Sequence, residues 1–298
     1  MQYKQLGKSD LRLSEVGFGC MSLGSDHAEN ARLLHRAADG GINFFDTADL
    51  YDKGFNEETV GRALKDKRPN VIIATKVGNQ WRSDGSGWDW NPRKAYILEA
   101  VAGSLRRLGT DYIDLYQLHG GTLDDPIDET IEAFELLKAQ GKIRQYGISS
   151  IRPGVIREYV RRSGIASVMM QYSLLDRRPE ETALELLHGH GIGVLARGSL
   201  ARGLLVSKAP ENYLNYSAED VKKAAAAVHA QAGAVRDAAA VAARFVLAHP
   251  AVTSAVLGIR TPQQLEAGLA AGRTAPLTGP EADALRSALP ANAYTEHR

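Results

Sequence analysis

Residues 42–51 read Ile-Asn-Phe-Phe-Asp-Thr-Ala-Asp-Leu-Tyr, an apolar run that breaks into carboxylates, a threonine and a tyrosine where a strand would end. The pattern recurs at Ile72-Ile73-Ala74-Thr75-Lys76 and at Ile113-Asp114-Leu115-Tyr116-Gln117-Leu118-His119. Each run delivers side chains able to hold or move a proton: Asp46 and Tyr51, then Lys76, then His119. A phenol, with a pKa of about 10 in water, is a poor proton donor and a poor base near neutrality. It needs a cation beside it. Lys76 would stabilise the phenolate, and Asp46 would hold Lys76 in place and charged. A histidine at the same point would donate a hydrogen bond that orients an oxygen, in the manner of an oxyanion hole.

Residues spread from 46 to 119 can meet if the elements that carry them end on one face. Parallel strands of a β/α barrel do this, because every strand points the same way and the loops after them share one rim. From Val16 onward apolar runs alternate with helical patterns at intervals of roughly 30 residues. Strands are predicted near 16–20, 43–47, 71–76, 113–118, 143–148, 167–172, 193–197 and 253–258. Helices are predicted near 27–39, 57–66, 92–107, 127–140, 153–163, 179–189, 217–248 and 261–271. Asn91, Asp125 and Thr261, each followed by proline, read as helix N-caps. Eight such units predict an α/β fold, a (β/α)8 TIM barrel. Alternation around Gly7–Asp10 predicts a β-hairpin over residues 2–14 that plugs the barrel floor. Residues 202–218 are expected to loop over the active face. An extra C-terminal helix near 280–288 and a polar end, Thr295-Glu296-His297-Arg298, complete the chain. Barrels commonly run about 250 residues, so residues 1–298 read as one domain.

With 36 Lys+Arg against 35 Asp+Glu, the net charge of +1 gives no field that would gather nucleic acid or an anionic membrane. The single cysteine, Cys20, excludes an internal disulfide framework, and Met-Gln-Tyr-Lys-Gln lacks the apolar core of a signal peptide. No apolar run approaches the ~20 residues of a membrane span, so the expected location is the cytoplasm. Gly17-Phe18-Gly19 begins a dinucleotide fingerprint that fails at Ser22. There is no Gly-x-Ser-x-Gly elbow, Walker loop or Tyr-x-x-x-Lys pair. His188 and His190 have no carboxylate or cysteine cluster beside them, and no metal site is expected.

In type, order and context (Phe-Asp-Thr-Ala, Leu-Tyr, Ala-Thr-Lys, Leu-His), Asp46, Tyr51, Lys76 and His119 resemble the catalytic tetrad of the aldo-keto reductases. The resemblance runs from Val16 to about Ala271. It implies reversible, NADP-dependent reduction of a small aldehyde or ketone, with Tyr51 as proton donor and no Rossmann domain. For NADP(H) it implies Gly19 and Met21 after the first strand and Asp46 at the second. Ser149 and Gln171 would meet the carboxamide, and Tyr172 would stack on the nicotinamide. Arg197, Ser199, Leu200 and Gly203 would take the pyrophosphate, and Gly258, Arg260 and Gln264 the adenosine phosphate. Loops after the seventh and eighth strands are where barrels tend to bind phosphate, and a helix start with an arginine fork suits an anion. Arg260 favours NADP over NAD.

The chain departs from many relatives at Arg197-Gly198-Ser199-Leu200, where they read Tyr-Ser-Pro-Leu, and at Ala267-Gly268, where they read Glu-Asn. Trp81, Trp88 and Trp90 share one loop after the third strand, placed to line an aromatic substrate pocket. Some relatives, including potassium-channel β subunits, keep tetrad and cofactor and act through a partner. A cofactor-binding regulatory module is therefore the alternative. The barrel begins almost at residue 16, without an added regulatory segment, which favours the enzyme. Oligomeric state has no signature in the sequence.

Overall fold

The computed structural model describes residues 1–296. Strands β1 (Tyr3–Gln5) and β2 (Arg12–Ser14) form the antiparallel hairpin. Its Leu6, Leu11 and Leu13 are buried among Phe44, Leu115 and Leu195, so the hairpin plugs the barrel interior. At its turn Gly7 is left-handed (φ 56°), and a Cβ there would come within 2.6 Å of the Gly191 carbonyl oxygen. Only glycine meets both demands.

The chain then alternates. It runs β3 (Val16–Gly19), α1 (His27–Asp39), β4 (Phe44–Asp46), α2 (Phe55–Leu64), β5 (Ile72–Val77), a hairpin of β6 (Asn79–Trp81) and β7 (Trp88–Trp90), then α3 (Lys94–Leu108). Next come β8 (Ile113–Leu118), α4 (Ile127–Ala139), β9 (Ile143–Ser149), α5 (Pro153–Arg162), β10 (Ser167–Gln171) and α6 (Ala183–His190). The last part is β11 (Gly193–Arg197), α7 (Ala218–Ala230), α8 (Ala238–Leu247), β12 (Val252–Gly258), α9 (Pro262–Arg273) and α10 (Gly279–Ser287). Parallel strands close the ring β3-β4-β5-β8-β9-β10-β11-β12, with Ala255 opposite Val16 at the closure. This is the (β/α)8 barrel.

Every residue of β5 and β8 is buried, because helices cover one face and the barrel interior the other. Alternation sorts them: Phe44, Ala74 and Leu115 point to the plug, while Phe45, Ile73 and Tyr116 join the layer beneath the helices. Gly17 also faces inward, where a Cβ would lie 2.6 Å from the Phe44 ring. Its role is packing.

Helix starts differ from expectation at two of the three proline sites. Thr261 does cap α9, accepting from the Gln264 amide. The N-caps of α3 and α4 are Arg93 and Pro126, and neither helix has a side-chain cap bond. Asp125 instead accepts from the Thr122 amide and hydroxyl and from Trp90 Nε1, so the loop before α4 uses up its oxygens. Helix α6 starts later than position 179, after a 3-10 turn at Arg178–Glu181. The expected long helix over 217–248 is two helices. A capping box at Ser217 starts the first, and Asp237 caps the second.

Candidate active site

Strands β4, β5 and β8 are neighbours in the ring, with Asp46 opposite Ala74 and Lys76 opposite Gln117. Their ends bring Asp46, Lys76, Tyr51 and His119 together. Lys76 Nζ donates to Asp46 Oδ2 at 2.8 Å, to the Thr47 carbonyl oxygen at 2.7 Å and to the Tyr51 hydroxyl at 3.3 Å. All three ammonium donors are used. Gln117 Nε2 donates to the other Asp46 oxygen at 3.4 Å. Both Asp46 (4 % exposed) and Lys76 (1 %) are buried. Burial opposes the charge on Lys76, but Asp46 and Tyr51 outweigh it and the amine stands above the ordinary lysine value. Burial likewise pushes the Asp46 carboxyl up, and the ammonium beside it pulls it back. With both carboxylate oxygens bonded and the ammonium saturated, the buried pair is ionic.

His119 follows β8, its amide bonded to the Val77 carbonyl oxygen at 2.8 Å. Its ring stands edge-on to Tyr51, with centroids 5.8 Å apart and planes at 80°. Burial, then the charges of Lys76 and Arg197, lower its pKa to about 3, so the imidazole is neutral. Nδ1 is buried without a partner. That leaves Nε2 as the ring nitrogen open to the cavity, and we assign it the proton, since buried N–H groups without an acceptor are rarer than buried acceptors without a donor.

The turn that presents Tyr51 is strained and fastened. Asp52, Lys53 and Gly54 are all left-handed, at φ 48°, 53° and 91°. For the two non-glycine residues this costs on the order of 1 kcal/mol or more each. The turn is held by Thr47 Oγ1 to Asn56 Oδ1 at 2.6 Å, and by Asn56 Nδ2 to the Cys20 carbonyl oxygen at 2.8 Å. Fully buried Glu57 accepts from Thr75 Oγ1 at 2.5 Å and from Arg107 Nε at 2.7 Å, tying α2 to β5 and α3. Sequence reasoning missed Asn56, Glu57 and Arg107. Gln117 carried a signal, since strand alternation puts it on the same side as a residue two places on.

A cavity of about 630 Å³ opens above these groups, a size suited to small molecules. Met21, Ser149 and Arg197 line it together with Tyr51, Lys76 and His119. Gln171 sits at the rim, its Oε1 accepting from Arg197 Nη1 at 3.1 Å and its Nε2 donating to Tyr213 Oη at 3.0 Å. Tyr213 belongs to the segment expected over the active face. Gly19 ends β3, and a Cβ there would lie 3.1 Å from the Leu257 carbonyl oxygen. Leu200 and Gly203 belong to the turn after β11, where Gly203 is left-handed (φ 92°). Gly258 ends β12 and Arg260 and Gln264 follow it, all three exposed, with the Arg260 amide donating to Gln264 Oε1 at 3.0 Å.

Some expected residues lie elsewhere. Tyr172 is fully buried on the outer side of β10, its hydroxyl donating to Glu180 Oε1 at 2.8 Å and its ring 6.1 Å from that of Phe245. It presents no face to the cavity. Ser199 is buried too, its Oγ turned 3.4 Å from the Ala196 carbonyl oxygen. None of the three tryptophans lines the cavity. Trp90 braces the wall from behind: a Cβ on Gly78 would lie 2.6 Å from its ring, and one on Gly120 would lie 3.3 Å away. Nothing in the sequence marked Ser150, Arg152 or Arg178 as lining residues, or Tyr294, Thr295 and Glu296 of the C-terminal tail.

The model of the Aldo/keto reductase family matches residues 15–290. The chain belongs to that family. An oxidoreductase of Bacillus subtilis named YqkF, itself uncharacterized, is 51 % identical, and the match covers 100 % of both chains. The NADH-specific methylglyoxal reductase of Escherichia coli is 36 % identical over 70 % of this chain and 70 % of its own. Among solved structures, the holo form of the aldo-keto reductase AKR11C1 from Bacillus halodurans superposes with a TM-score of 0.94 at 51 % identity, covering 100 % of this chain and 99 % of that one. Its apo form gives 0.87 at 49 % identity over the same shares.

Proposed function

We propose that this aldo-keto reductase reduces aldehydes or ketones reversibly with NADP(H), and that Tyr51 passes the proton. The observation that carries the reading is the Lys76 ammonium held between Asp46 at 2.8 Å and the Tyr51 hydroxyl at 3.3 Å, at the foot of a cavity whose histidine is neutral. Bound NADPH would supply the hydride to the carbonyl carbon. The side chains do the rest. His119 Nε2–H holds the carbonyl oxygen, Tyr51 Oη donates its proton to that oxygen, and Lys76 stabilises the phenolate left behind. In the alcohol-oxidising direction the same phenolate takes the proton back.

The residues present fit a nicotinamide nucleotide. Gln171 and Arg197 are fastened to each other on the rim that Ser149 shares, and Arg260 is exposed beside the start of α9, where free amides suit a phosphate. The higher TM-score to the holo relative than to its apo form fits a backbone set for cofactor. Relatives are named for either nucleotide: the Escherichia coli protein is NADH-specific, while one from Schizosaccharomyces pombe, 34 % identical over 66 % of this chain and 62 % of its own, is named for NADP(+). Arg260, exposed beside the start of α9, supports NADP(H) in this reading. We take residues 1–298 as one working domain.

The test is oxidation of NADPH with a carbonyl panel, compared between wild type and Tyr51→Phe. The variant should keep its NADPH affinity and lose about 10²–10⁴-fold in turnover. Wild-type turnover by the variant would refute the reading.

A further inference from the structure

We propose that the mouth of the cavity selects carbonyl substrates bearing an anionic group, and that Arg152 holds that group. The inference rests on the reductase reading and adds its substrate class.

Lys76, Arg152, Arg178 and Arg197 line the cavity, while Glu296 is the one carboxylate among its described lining residues. Two of these cations are neutralised from behind. Asp46 pairs with Lys76, and Asp176 holds Arg178 through two bonds of 2.7 and 2.8 Å. The other two donate to neutral oxygens: Arg152 Nη1 to the Gly121 carbonyl oxygen, and Arg197 Nη1 to Gln171 Oε1. Among the described residues no carboxylate pairs with either. A concave site of low dielectric with uncompensated cations draws in an anion.

The two arginines stand on different loops of one rim. Arg197 ends β11, beside the loops that suit the cofactor phosphates. Arg152 lies after β9, and its bond to Gly121 fixes it two residues beyond His119. β9 neighbours β8 in the ring, so Arg152 stands beside the loop that carries His119; Arg197 also acts on His119 and Asp46, but its Nη1 is bonded to Gln171. Consecutive Cα atoms are about 3.8 Å apart, which puts the Gly121 Cα within about 7.6 Å of the His119 Cα. An anion on the free edge of the Arg152 fork would then share the cavity with a carbonyl oxygen held by His119, close enough for both groups to belong to one small substrate. The class is a short aldehyde or ketone carrying a carboxylate or a phosphate. Leu50, Ile151 and Met169 supply apolar wall to the same cavity.

The experiment compares kcat/KM, with NADPH, for matched pairs: 4-oxobutanoate against 4-oxobutanamide, and glyceraldehyde 3-phosphate against glyceraldehyde. In wild type the charged member of at least one pair should lead by about tenfold or more, as charge-assisted hydrogen bonds give. The pair with the larger ratio shows whether carboxylate or phosphate is preferred. Arg152→Gln should bring the ratio near one, chiefly through KM, and Arg152→Lys should restore part of it. Succinate, which carries the anion without a carbonyl, should compete with substrate and bind about tenfold or more weakly to Arg152→Gln in calorimetry. Neutral and charged members turned over equally by wild type would overturn the anion site and leave the reductase standing. A tenfold rise in the NADPH dissociation constant of Arg152→Gln would overturn it as well, by giving Arg152 to the cofactor. If no carbonyl is reduced the reductase reading falls, and succinate calorimetry alone decides: binding lost in Arg152→Gln supports the anion site, and no binding by wild type overturns it.

Discussion

Lys76→Met removes the charge that Asp46, Thr47 and Tyr51 now share while keeping most of the length of the side chain. At 3.3 Å and an effective dielectric of about 20, a full negative charge on the Tyr51 oxygen interacts with the ammonium by about 5 kcal/mol. Asp46, 2.8 Å from the same nitrogen, repels that phenolate and takes part of the gain back. If roughly half remains, 2–3 kcal/mol, turnover should fall by about 30–150-fold. The substitution also strands Asp46 in a buried site, which costs on the order of 3–5 kcal/mol of stability.

The two losses must be separated. Thermal unfolding gives the stability, and single-turnover NADPH oxidation on the folded fraction gives the rate. Asp46→Asn with Lys76→Met removes both charges and should regain much of the melting temperature and none of the rate. Tyr51→Phe with Lys76→Met should be little worse than either single variant, because the two residues act on one step. A folded Lys76→Met enzyme within about threefold of wild type, below 1 kcal/mol on this scale, would refute the ammonium's part in proton transfer. Multiplicative losses in the double variant would refute the shared step.

Burial, then Glu57, push the Asp49 carboxyl from 3.8 to about 8, and its Oδ1 has no partner. The folded carboxyl thus binds its proton more tightly than the unfolded one: its contribution to stability is complete below pH 4 and is lost as pH rises towards 8, at about 1.4 kcal/mol per unit. The wild-type melting temperature should therefore fall between pH 5 and 8 more steeply than that of Asp49→Asn, and parallel curves would refute the assignment. Arg260→Ala should raise the NADPH dissociation constant by about tenfold or more and the NADH constant much less, as loss of charge-assisted bonds to a 2′-phosphate requires; equal changes in fluorescence titrations would leave Arg260 a surface charge.

The barrel was legible because its strands are buried on both faces. Most read as runs rich in apolar residues, and a polar residue at or near the end marks the rim: Asp46 closes β4, Lys76 is next to last in β5, and His119 follows β8. Facing was legible only where a strand's neighbours decide it. Gln171 and Tyr172 both look polar at the end of β10, yet alternation sends one to the rim and the other outward, where Glu180 receives it. The supports of the Tyr51 turn were hidden for another reason. Glu57 meets Arg107 across 50 residues, and Arg152 meets Gly121 across 31, contacts that no local pattern records. Asp125 read as a helix cap because it precedes proline, and the indole of Trp90 competed for it and won.

One rim holds two basic side chains in opposite states, and the difference is in their partners. Burial penalises the charge on both. Lys76 has a carboxylate, a carbonyl and a hydroxyl around its three donors, and the attraction exceeds the penalty. His119 has two cations for neighbours and no partner at Nδ1, so nothing offsets its burial. Near neutral pH an imidazole with a pKa of about 3 has no second proton to give. In the proposed reaction it would orient an oxygen through Nε2–H, while the proton would come from Tyr51, whose hydroxyl is bonded to the Lys76 ammonium. Strand order produces the division: β5 lies between β4 and β8, so Lys76 pairs with Asp46 on one side and sets its charge against His119 on the other.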